Sequence, residues 1–156
     1  RPGERALDLY AGVGLFAGPL AEAAGVTGVV TAVESSQLAA ADAAHNLADL
    51  PQVGIVRTEV LKALLAMHEP VGVVVLDPPR SGAGAKVVTE ICRLTPRAVA
   101  YVACDPAALA RDIATFAAAG YSLGALRAFD LFPQTHHVEC VAILQRDTPI
   151  LESDAG

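Results

Sequence analysis

The sequence of 156 residues contains no tryptophan, few aromatic residues and only three cysteines. Aromatic residues make up 4 % of the chain, so a core must be built mainly from alanine, valine and leucine. No two cysteines form a Cys-x-x-Cys pair, which argues against a disulfide framework and a zinc site and favours a reducing compartment, the cytoplasm. Hydrophobic residues make up 53 % and charged residues 18 %, which excludes a disordered chain.

Long apolar runs and excess positive charge are also absent. No run approaches the roughly 20 apolar residues that a membrane span requires, and residues 1–5 do not begin a signal peptide. We therefore expect no membrane partner. The net charge is −6, whereas a protein that binds nucleic acid unaided usually has a basic face. Any nucleic acid would have to be held mainly by regions outside this chain.

Short valine-rich and leucine-rich runs alternate with alanine-rich stretches. Strands are predicted at residues 5–10, 28–34, 53–57, 71–77, 98–103, 123–130 and 137–144, and helices at 15–24, 36–50, 86–94 and 106–119. This alternation predicts an α/β fold, a mostly parallel sheet with helices on both faces. Since no helix separates the last two strands, we expect them to pair antiparallel, with the last strand at the sheet edge. Residues 147–156 show no pattern and are expected to form a loosely ordered tail.

A glycine-containing turn closes the first predicted strand. Gly12 and Gly14 follow it, and Glu34 ends the second strand 20 residues after Gly14. Glycines there allow a close backbone approach to a ligand and leave helix N–H groups free, and the carboxylate can bind ribose hydroxyls. The alternative is a tight turn with a solvated glutamate. The spacing favours an adenosine cofactor without indicating which one.

Two further motifs follow the fourth and fifth predicted strands. Asp77 precedes two prolines at a strand end, where open α/β sheets bind ligands, although a proline-rich strand terminator would look the same. Cys104 lies just before a helix whose expected N-cap is Asp105, and the positive end of a helix favours a thiolate. Cys104 could equally be a small buried residue, as we expect for Cys92 and Cys140.

The fourth motif, residues 132–139, places Glu139 at the start of an otherwise apolar strand. Glu139 is either exposed at an edge or positioned for proton transfer. His136 and His137 precede it, but no further ligands at suitable spacing suggest a metal site.

Together, the four motifs resemble the catalytic domain of the RNA 5-methyluridine methyltransferases, which use S-adenosylmethionine (SAM) to methylate uracil C5 in tRNA or rRNA. The resemblance covers residues 5–146. It is carried by Asp-Pro-Pro-Arg at 77–80, Ala-Cys-Asp-Pro with Ala-Arg-Asp at 103–112, and Asp-x-Phe-Pro-x-Thr-x-His-x-Glu at 130–139. It implies a Rossmann-like class I methyltransferase fold with seven strands, and a SAM-dependent catalytic domain at residues 1–146.

The resemblance also implies roles for individual residues. Cys104 would be the nucleophile and Glu139 the general base, and the SAM site would include Tyr10, Gly12, Gly14, Leu15, Glu34, Glu59 and Asp77. Leu15 and Glu59 stand where many members have asparagine, and Asp105 replaces the asparagine after the nucleophile. The RNA-binding regions that precede this domain in the family are not present in the sequence, which is consistent with its acidic charge.

The resemblance implies a covalent mechanism. Uracil C5 is a poor nucleophile, so a thiolate must first add to C6, and a base must later remove the C5 proton. Two alternatives remain: a domain that binds SAM or RNA without catalysing the reaction by itself, and an NAD-type Rossmann enzyme. The latter gives no reason for the Asp77, Cys104 and Glu139 motifs.

Overall fold

The computed structural model describes residues 1–131, 134 and 138–147. The strands are β1 (Arg5–Leu9), β2 (Val29–Glu34), β3 (Val53–Arg57), β4 (Val73–Leu76), β5 (Ala98–Ala103), β6 (Tyr121–Phe129) and β7 (Glu139–Arg146). The helices are α1 (Ala17–Ala24), α2 (Gln37–Asn46), α3 (Val60–Ala66), α4 (Ala85–Arg93) and α5 (Pro106–Ala118). The expected tail beyond residue 147, most of motif residues 132–137 and both histidines of that motif lie outside the described residues.

The strands form one sheet in the order β3–β2–β1–β4–β5–β7–β6. Strands β1 to β5 pair in parallel, whereas β7 is antiparallel to both β5 and β6. The mostly parallel α/β sheet and its antiparallel last strand are therefore confirmed. The prediction that the last strand lies at the edge is wrong, because β7 folds back between β5 and β6.

Burial explains why β7 takes the inner position. Alternate residues of β7 are buried, whereas every residue of β6 after Tyr121 is exposed. A strand with one buried face gains more from an inner position, where both edges are hydrogen-bonded and helices cover it. A register shift between Leu123 and Ala125 interrupts the pairing of β6 with β7. Such irregularities are typical of sheet edges.

The helices differ from the prediction mainly at α3, which the sequence analysis left unassigned. Val60, Ala63 and Leu64 are its buried residues, and this spacing is that of an amphipathic helix. Helix α1 begins at Ala17 rather than at residue 15, and α2 ends at Asn46 rather than at residue 50. Among the described residues, no helix has both the length and the apolar character needed to cross a membrane.

Helices cover both faces of the sheet, and each face has its own core. On one face α1 and α2 contribute mostly alanine, including Ala17, Ala21 and Ala43. On the other face α3, α4 and α5 pack larger side chains, Leu64, Ile91 and Phe116 among them. The small side chains let α1 and α2 lie close to the strands, as the alanine-rich composition requires.

Candidate active site

The carboxyl edge of the parallel strands brings three of the predicted residues together. Asp77 directly follows β4, Cys104 directly follows β5, and Glu139 begins β7. Since β7 is antiparallel, its first residue lies at the same edge as the last residues of β4 and β5. The β5–β7 register ends with Ala103 paired with Cys140, and Cys104 and Glu139 are the next residues beyond this pair.

Cys104 differs from the other two cysteines in its surroundings. It is half-buried at the strand end, and Asp105 Oδ1 caps the following helix by accepting a hydrogen bond from Ala108 N at 2.7 Å. The expected N-cap is therefore confirmed. Cys140 is buried in the core, and burial raises the pKa of its thiol. Burial also raises the pKa of Cys92 in α4 to about 11, which keeps this thiol protonated and unreactive at neutral pH.

Asp77 and Glu139 lie close enough to interact electrostatically. Desolvation, and then the negative charge of Glu139, raise the pKa of Asp77. The backbone N–H of Asp77 donates to Leu9 O at 3.3 Å, which fixes the strand end beside β1. Two interacting carboxylates therefore flank the place where Cys104 emerges from the sheet.

The glycine turn has the expected backbone conformation, but its amides are already used. Tyr10, Gly12 and Gly14 all have positive φ angles, of 60°, 54° and 91°. The Gly12 N–H donates to Glu34 Oε2 at 2.9 Å, and the Gly14 N–H donates to Ala11 O at 2.9 Å. The N–H groups of these two loop glycines are therefore not available to a ligand, because the turn closes on its own acceptors.

Gly14 serves helix packing. A Cβ atom at Gly14 would lie 2.6 Å from Leu47 Cδ1, so a side chain there would collide with the residue that caps the end of α2. Leu15, one residue on, is 70 % exposed at the carboxyl edge. Leu15 can therefore offer a ligand only its backbone or an apolar contact.

A cavity of about 220 Å³ brings Tyr10, Glu34 and Glu59 together. Glu34 is held in place because its Oε1 accepts a hydrogen bond from Ser36 N at 2.6 Å, in addition to the bond from Gly12. The rest of the lining consists of Ser35, Val60, Leu61 and Val87. Carboxylates beside an apolar wall suit a ribose next to a flat base.

The apolar wall of this cavity was missed by the sequence analysis. Val60 and Leu61 belong to α3, and the apolar run after Glu59 could have revealed this helix. A larger cavity of about 300 Å³, lined by Arg5, Val29 and other residues, lies at the amino ends of β1 and β2. Parallel sheets bind ligands at the opposite edge, so we place the site at the smaller cavity.

Asp8 is a second feature that the sequence analysis missed. It is fully buried in β1, and neither carboxylate oxygen has a well-formed hydrogen bond among the described residues, although the backbone N–H of Ala17 lies near enough to act on it. Burial raises its pKa to about 7; the backbone N–H of Ala17 opposes this shift, while Asp77 and Glu34 add to it. A charged residue in the middle of an apolar strand was the signal that could have revealed Asp8.

Comparison with known proteins identifies the family. The profile of the tRNA (uracil-5-)-methyltransferase family matches residues 3–147. The chain belongs to this family. Its seven-stranded sheet is accordingly the Rossmann-like fold of SAM-dependent methyltransferases, as the resemblance implied.

Two curated relatives have similar sequences. An uncharacterized RNA methyltransferase of Streptomyces avermitilis is 55 % identical over 146 residues, which are 93 % of this chain and 34 % of the relative. A 23S rRNA (uracil(1939)-C(5))-methyltransferase of Shewanella sediminis is 40 % identical over 154 residues, covering 94 % of this chain and 33 % of the relative. The chain thus spans about a third of the length of these relatives.

A solved structure of the family superposes well on this one. The tRNA (uracil-54, C5)-methyltransferase of Pyrococcus abyssi, in complex with S-adenosyl-L-homocysteine, has a TM-score of 0.76 and 30 % identity. The match covers 90 % of this chain and 34 % of that chain. The family's fold is therefore contained in the part of the chain described here.

Proposed function

We propose that this chain is the catalytic domain, residues 1–146, of an RNA methyltransferase. It transfers a methyl group from SAM to C5 of uridine in tRNA or rRNA through a covalent cysteine adduct. The observation that carries this proposal is the β5–β7 register, whose last pair, Ala103 with Cys140, immediately precedes Cys104 and follows Glu139 at the edge that Asp77 shares. Family membership and the adenosine-sized cavity on the same edge of the sheet support it.

The residues at this edge fit SAM. Glu34 and Glu59 can accept hydrogen bonds from ribose hydroxyls, and Val60, Leu61 and Tyr10 offer a wall for the adenine. SAM carries positive charge on its sulfonium and ammonium groups, which the partnerless carboxylate of Asp8 and the nearby Asp77 can stabilise.

The NAD alternative fits this edge poorly. The pyrophosphate of NAD would meet these carboxylates and a glycine turn whose amides are engaged. The negative charges of Asp8 and Asp77 would repel the negatively charged pyrophosphate. Together with family membership, this argues against the NAD-type Rossmann enzyme.

Cys104 begins the reaction. Its thiolate forms a bond to uracil C6, and the electron pair of the C5–C6 double bond moves into an enolate that makes C5 nucleophilic. SAM, when bound, supplies the electrophilic methyl group that C5 accepts. Cys104 needs access to the base and a fixed position, which the strand end and the capped α5 provide.

Glu139 completes the reaction. It accepts the C5 proton, the C5–C6 double bond re-forms, and the C6–sulfur bond breaks to release the Cys104 thiolate. The role requires Glu139 near Cys104, and the adjoining Ala103–Cys140 pair supports this. Asp105 commits one carboxylate oxygen to the cap of α5, a role that the family's asparagine can also fill.

The RNA partner follows from the same chemistry. A base in a helical stem must be unstacked to reach Cys104, so uridines in loops are the favoured targets. The net charge of −6 leaves most of the phosphate contacts to regions outside this chain. Three free thiols and an RNA substrate are consistent with a cytoplasmic location.

The experiment uses 5-fluorouridine RNA and SAM with the complete protein. Fluorine cannot leave as a cation, so the adduct is trapped after methyl transfer. Wild type is expected to form an adduct at Cys104, detected by gel shift and peptide mass, and Cys104→Ala neither adduct nor product. Cys92→Ala is the matched control and should keep both. Normal turnover of Cys104→Ala would refute the covalent mechanism.

Glu139→Gln separates the two halves of the reaction. Thiolate addition and methylation can proceed while proton removal fails, so adduct should accumulate on ordinary uridine RNA. Glu69→Gln, at an exposed position, is the control and should turn over normally. Loss of both adduct and product in Glu139→Gln would show that Glu139 acts before proton removal. Activity of the complete protein but not of this chain would indicate a domain that is inactive by itself.

A further inference from the structure

A buried carboxylate outside the proposed reaction steps holds the loop between β4 and α4. Asp112 on α5 is 4 % exposed, and its Oδ2 accepts hydrogen bonds from the Tyr101 hydroxyl at 2.6 Å, Ala83 N at 2.8 Å and Gly84 N at 3.2 Å. The Tyr101 oxygen also accepts from Ala83 N at 3.0 Å. We call these four residues the Asp112 clamp. Bonds to a buried charged acceptor are stronger than neutral ones.

The Asp112 clamp anchors the backbone just before α4, because Ala83 and Gly84, whose N–H groups it binds, directly precede the helix. Helix α4 begins after Gly84, which has no side chain to accept a hydrogen bond. The carboxylate of Asp112, on a different helix, lies beside this helix start, and its negative charge complements the positive end of α4. The start of α4 is therefore fixed relative to α5.

The loop approaches Asp112 so closely that a glycine is required. Gly82 has a φ of +80°, and a Cβ atom there would lie 2.8 Å from Asp112 Oδ2. The Gly82 N–H donates to Pro79 O at 2.8 Å, which closes the turn after the two prolines. Residues 77–84 thus form a short connection anchored at both ends.

This connection runs from β4 to α4 and lies beside β5, the strand that precedes Cys104. It begins at Asp77, whose preceding residue Leu76 pairs with Tyr101 of β5. The helix that carries Asp112 begins two residues after Cys104. The Asp112 clamp therefore joins β5, α5 and the 77–84 loop around the edge from which Cys104 emerges.

The clamp also lies next to the cofactor cavity. Burial, and then the charge of Asp112, raise the pKa of Tyr10, which lines that cavity. Asp112 is thus close to Tyr10 on one side and bonded to the 77–84 loop on the other. It makes no contact that the proposed chemistry requires directly.

We propose that Asp112 is a positioning residue, which holds the 77–84 loop at a fixed place relative to Cys104 so that the uracil ring is aligned with the thiol. This inference rests on the proposed function. Asp112 acts through the backbone of Ala83 and Gly84, and Tyr101 orients its carboxylate. Misplacement of reacting groups by about 1 Å can lower a rate by roughly 100-fold.

The test compares three variants in the complete protein. Asp112→Ala should lower kcat and the rate of adduct formation on 5-fluorouridine RNA by roughly 10-fold to 100-fold. Its affinity for S-adenosylhomocysteine should change by less than about threefold, a difference below 1 kcal/mol. Asp112→Asn retains an acceptor for Ala83 and Gly84 and should recover most of the activity. Tyr101→Phe should fall between Asp112→Asn and Asp112→Ala.

Two controls separate positioning from general destabilisation. Phe116 is on the same helix as Asp112, and its ring packs edge-to-face against Tyr121 with the ring centroids 5.7 Å apart. The substitution Phe116→Leu weakens this packing and leaves the Asp112 clamp unchanged. Asp42→Ala removes an exposed aspartate from α2. Measured below the unfolding midpoint of every variant, both controls should keep wild-type kcat.

The outcomes are distinct. If wild type forms the Cys104 adduct and Asp112→Ala forms it at the same rate, the positioning role is wrong while the proposed function stands. An equal loss in Phe116→Leu, or no recovery in Asp112→Asn, would also overturn the positioning role. If Asp112→Ala does not fold, the positioning role is judged from the kcat of Asp112→Asn and of Tyr101→Phe. The value for Tyr101→Phe should be the lower of the two. If wild type forms no adduct, the proposed function falls, and this inference falls with it.

Discussion

Asp8 is the residue at which stability and ligand binding oppose each other. Its carboxylate is fully buried and unpaired among the described residues, an arrangement that costs free energy whenever the group is ionised. A positively charged ligand at the carboxyl edge would offset that cost. The proposed SAM site therefore accounts for a carboxylate that packing alone would not favour.

The pH dependence of stability follows from Asp8. Its pKa rises from 3.8 in the unfolded chain to about 7 in the folded one, so the folded state binds the extra proton between these values. The free energy of unfolding should therefore fall as pH rises from about 4 to about 7, by at most about 4 kcal/mol. Asp8→Asn should remove this contribution, so its stability relative to wild type should increase over that range.

The measurement is chemical denaturation of the ligand-free protein at a series of pH values. Asp42→Asn, at an exposed position, is the control and should follow the wild-type curve. A wild-type curve parallel to that of Asp8→Asn from pH 4 to pH 7 would show that Asp8 is not the titrating group.

Glu34 is expected to contribute directly to SAM affinity. Its oxygens accept from Gly12 N and Ser36 N, and they face the cavity shared with Tyr10 and Glu59. Glu34→Ala should weaken SAM binding by about 1–3 kcal/mol, because hydrogen bonds to a charged group are lost. Calorimetry with SAM measures this, with Glu22→Ala on the exposed side of α1 as control. Unchanged affinity in Glu34→Ala would exclude the ribose role.

At the scale of elements, the β6–β7 hairpin decides the catalytic geometry. Because β7 inserts beside β5, Glu139 is brought to the strand end that carries Cys104. Had β6 paired with β5 instead, the start of β7 would lie one strand further away, near the sheet edge. Strand spacing is about 4.8 Å, so such an exchange would separate the two groups by roughly that distance more.

The packing of α1 against α2 yields a matched pair of glycine substitutions. Gly14→Ala should destabilise the protein by at least about 1–2 kcal/mol, because its φ of +91° disfavours a side chain and Leu47 would have to move. Gly18→Ala lies inside α1, where the nearest atom of Leu47 is 3.7 Å away. It should be neutral or stabilise by up to about 1 kcal/mol. Thermal unfolding of both variants checks this; equal effects would contradict it.

At the scale of the whole molecule, charge separates catalysis from RNA binding. The chain carries a net charge of −6, and it spans about a third of the length of the relatives described above. Phosphate contacts made by lysine and arginine dominate RNA affinity. The proposed function therefore implies that regions outside this chain hold the RNA.

This division can be measured by fluorescence anisotropy with a labelled tRNA or rRNA fragment. At about 0.15 M salt the chain alone should bind RNA no more tightly than the nonspecific range of roughly 10⁻⁴ to 10⁻⁶ M. S-adenosylhomocysteine should still raise its unfolding temperature. The complete protein should bind RNA more tightly and lose affinity steeply with added salt. Nanomolar RNA binding by the chain alone would contradict this division.

The sequence by itself determined most of the elements and the edge at which each candidate lies. Alternating apolar runs predicted all seven strands to within two residues at each end, and motif residues Asp77 and Cys104 were correctly placed at strand ends. Such predictions succeed because parallel strands share one carboxyl edge whatever their order. The short α3 was missed because seven residues give little periodicity.

The tertiary structure alone decided which groups meet at that edge. The position of β7, the engagement of the Gly12 and Gly14 amides, and the bonds from Asp112 to the 77–84 loop all join residues far apart in the chain. Local periodicity reports which face of a strand or helix is buried, but not which neighbour it pairs with. The proposed proximity of Cys104 and Glu139 depends on the sheet, because 34 residues of chain lie between them and only the register of β5 with β7 brings their neighbours Ala103 and Cys140 together.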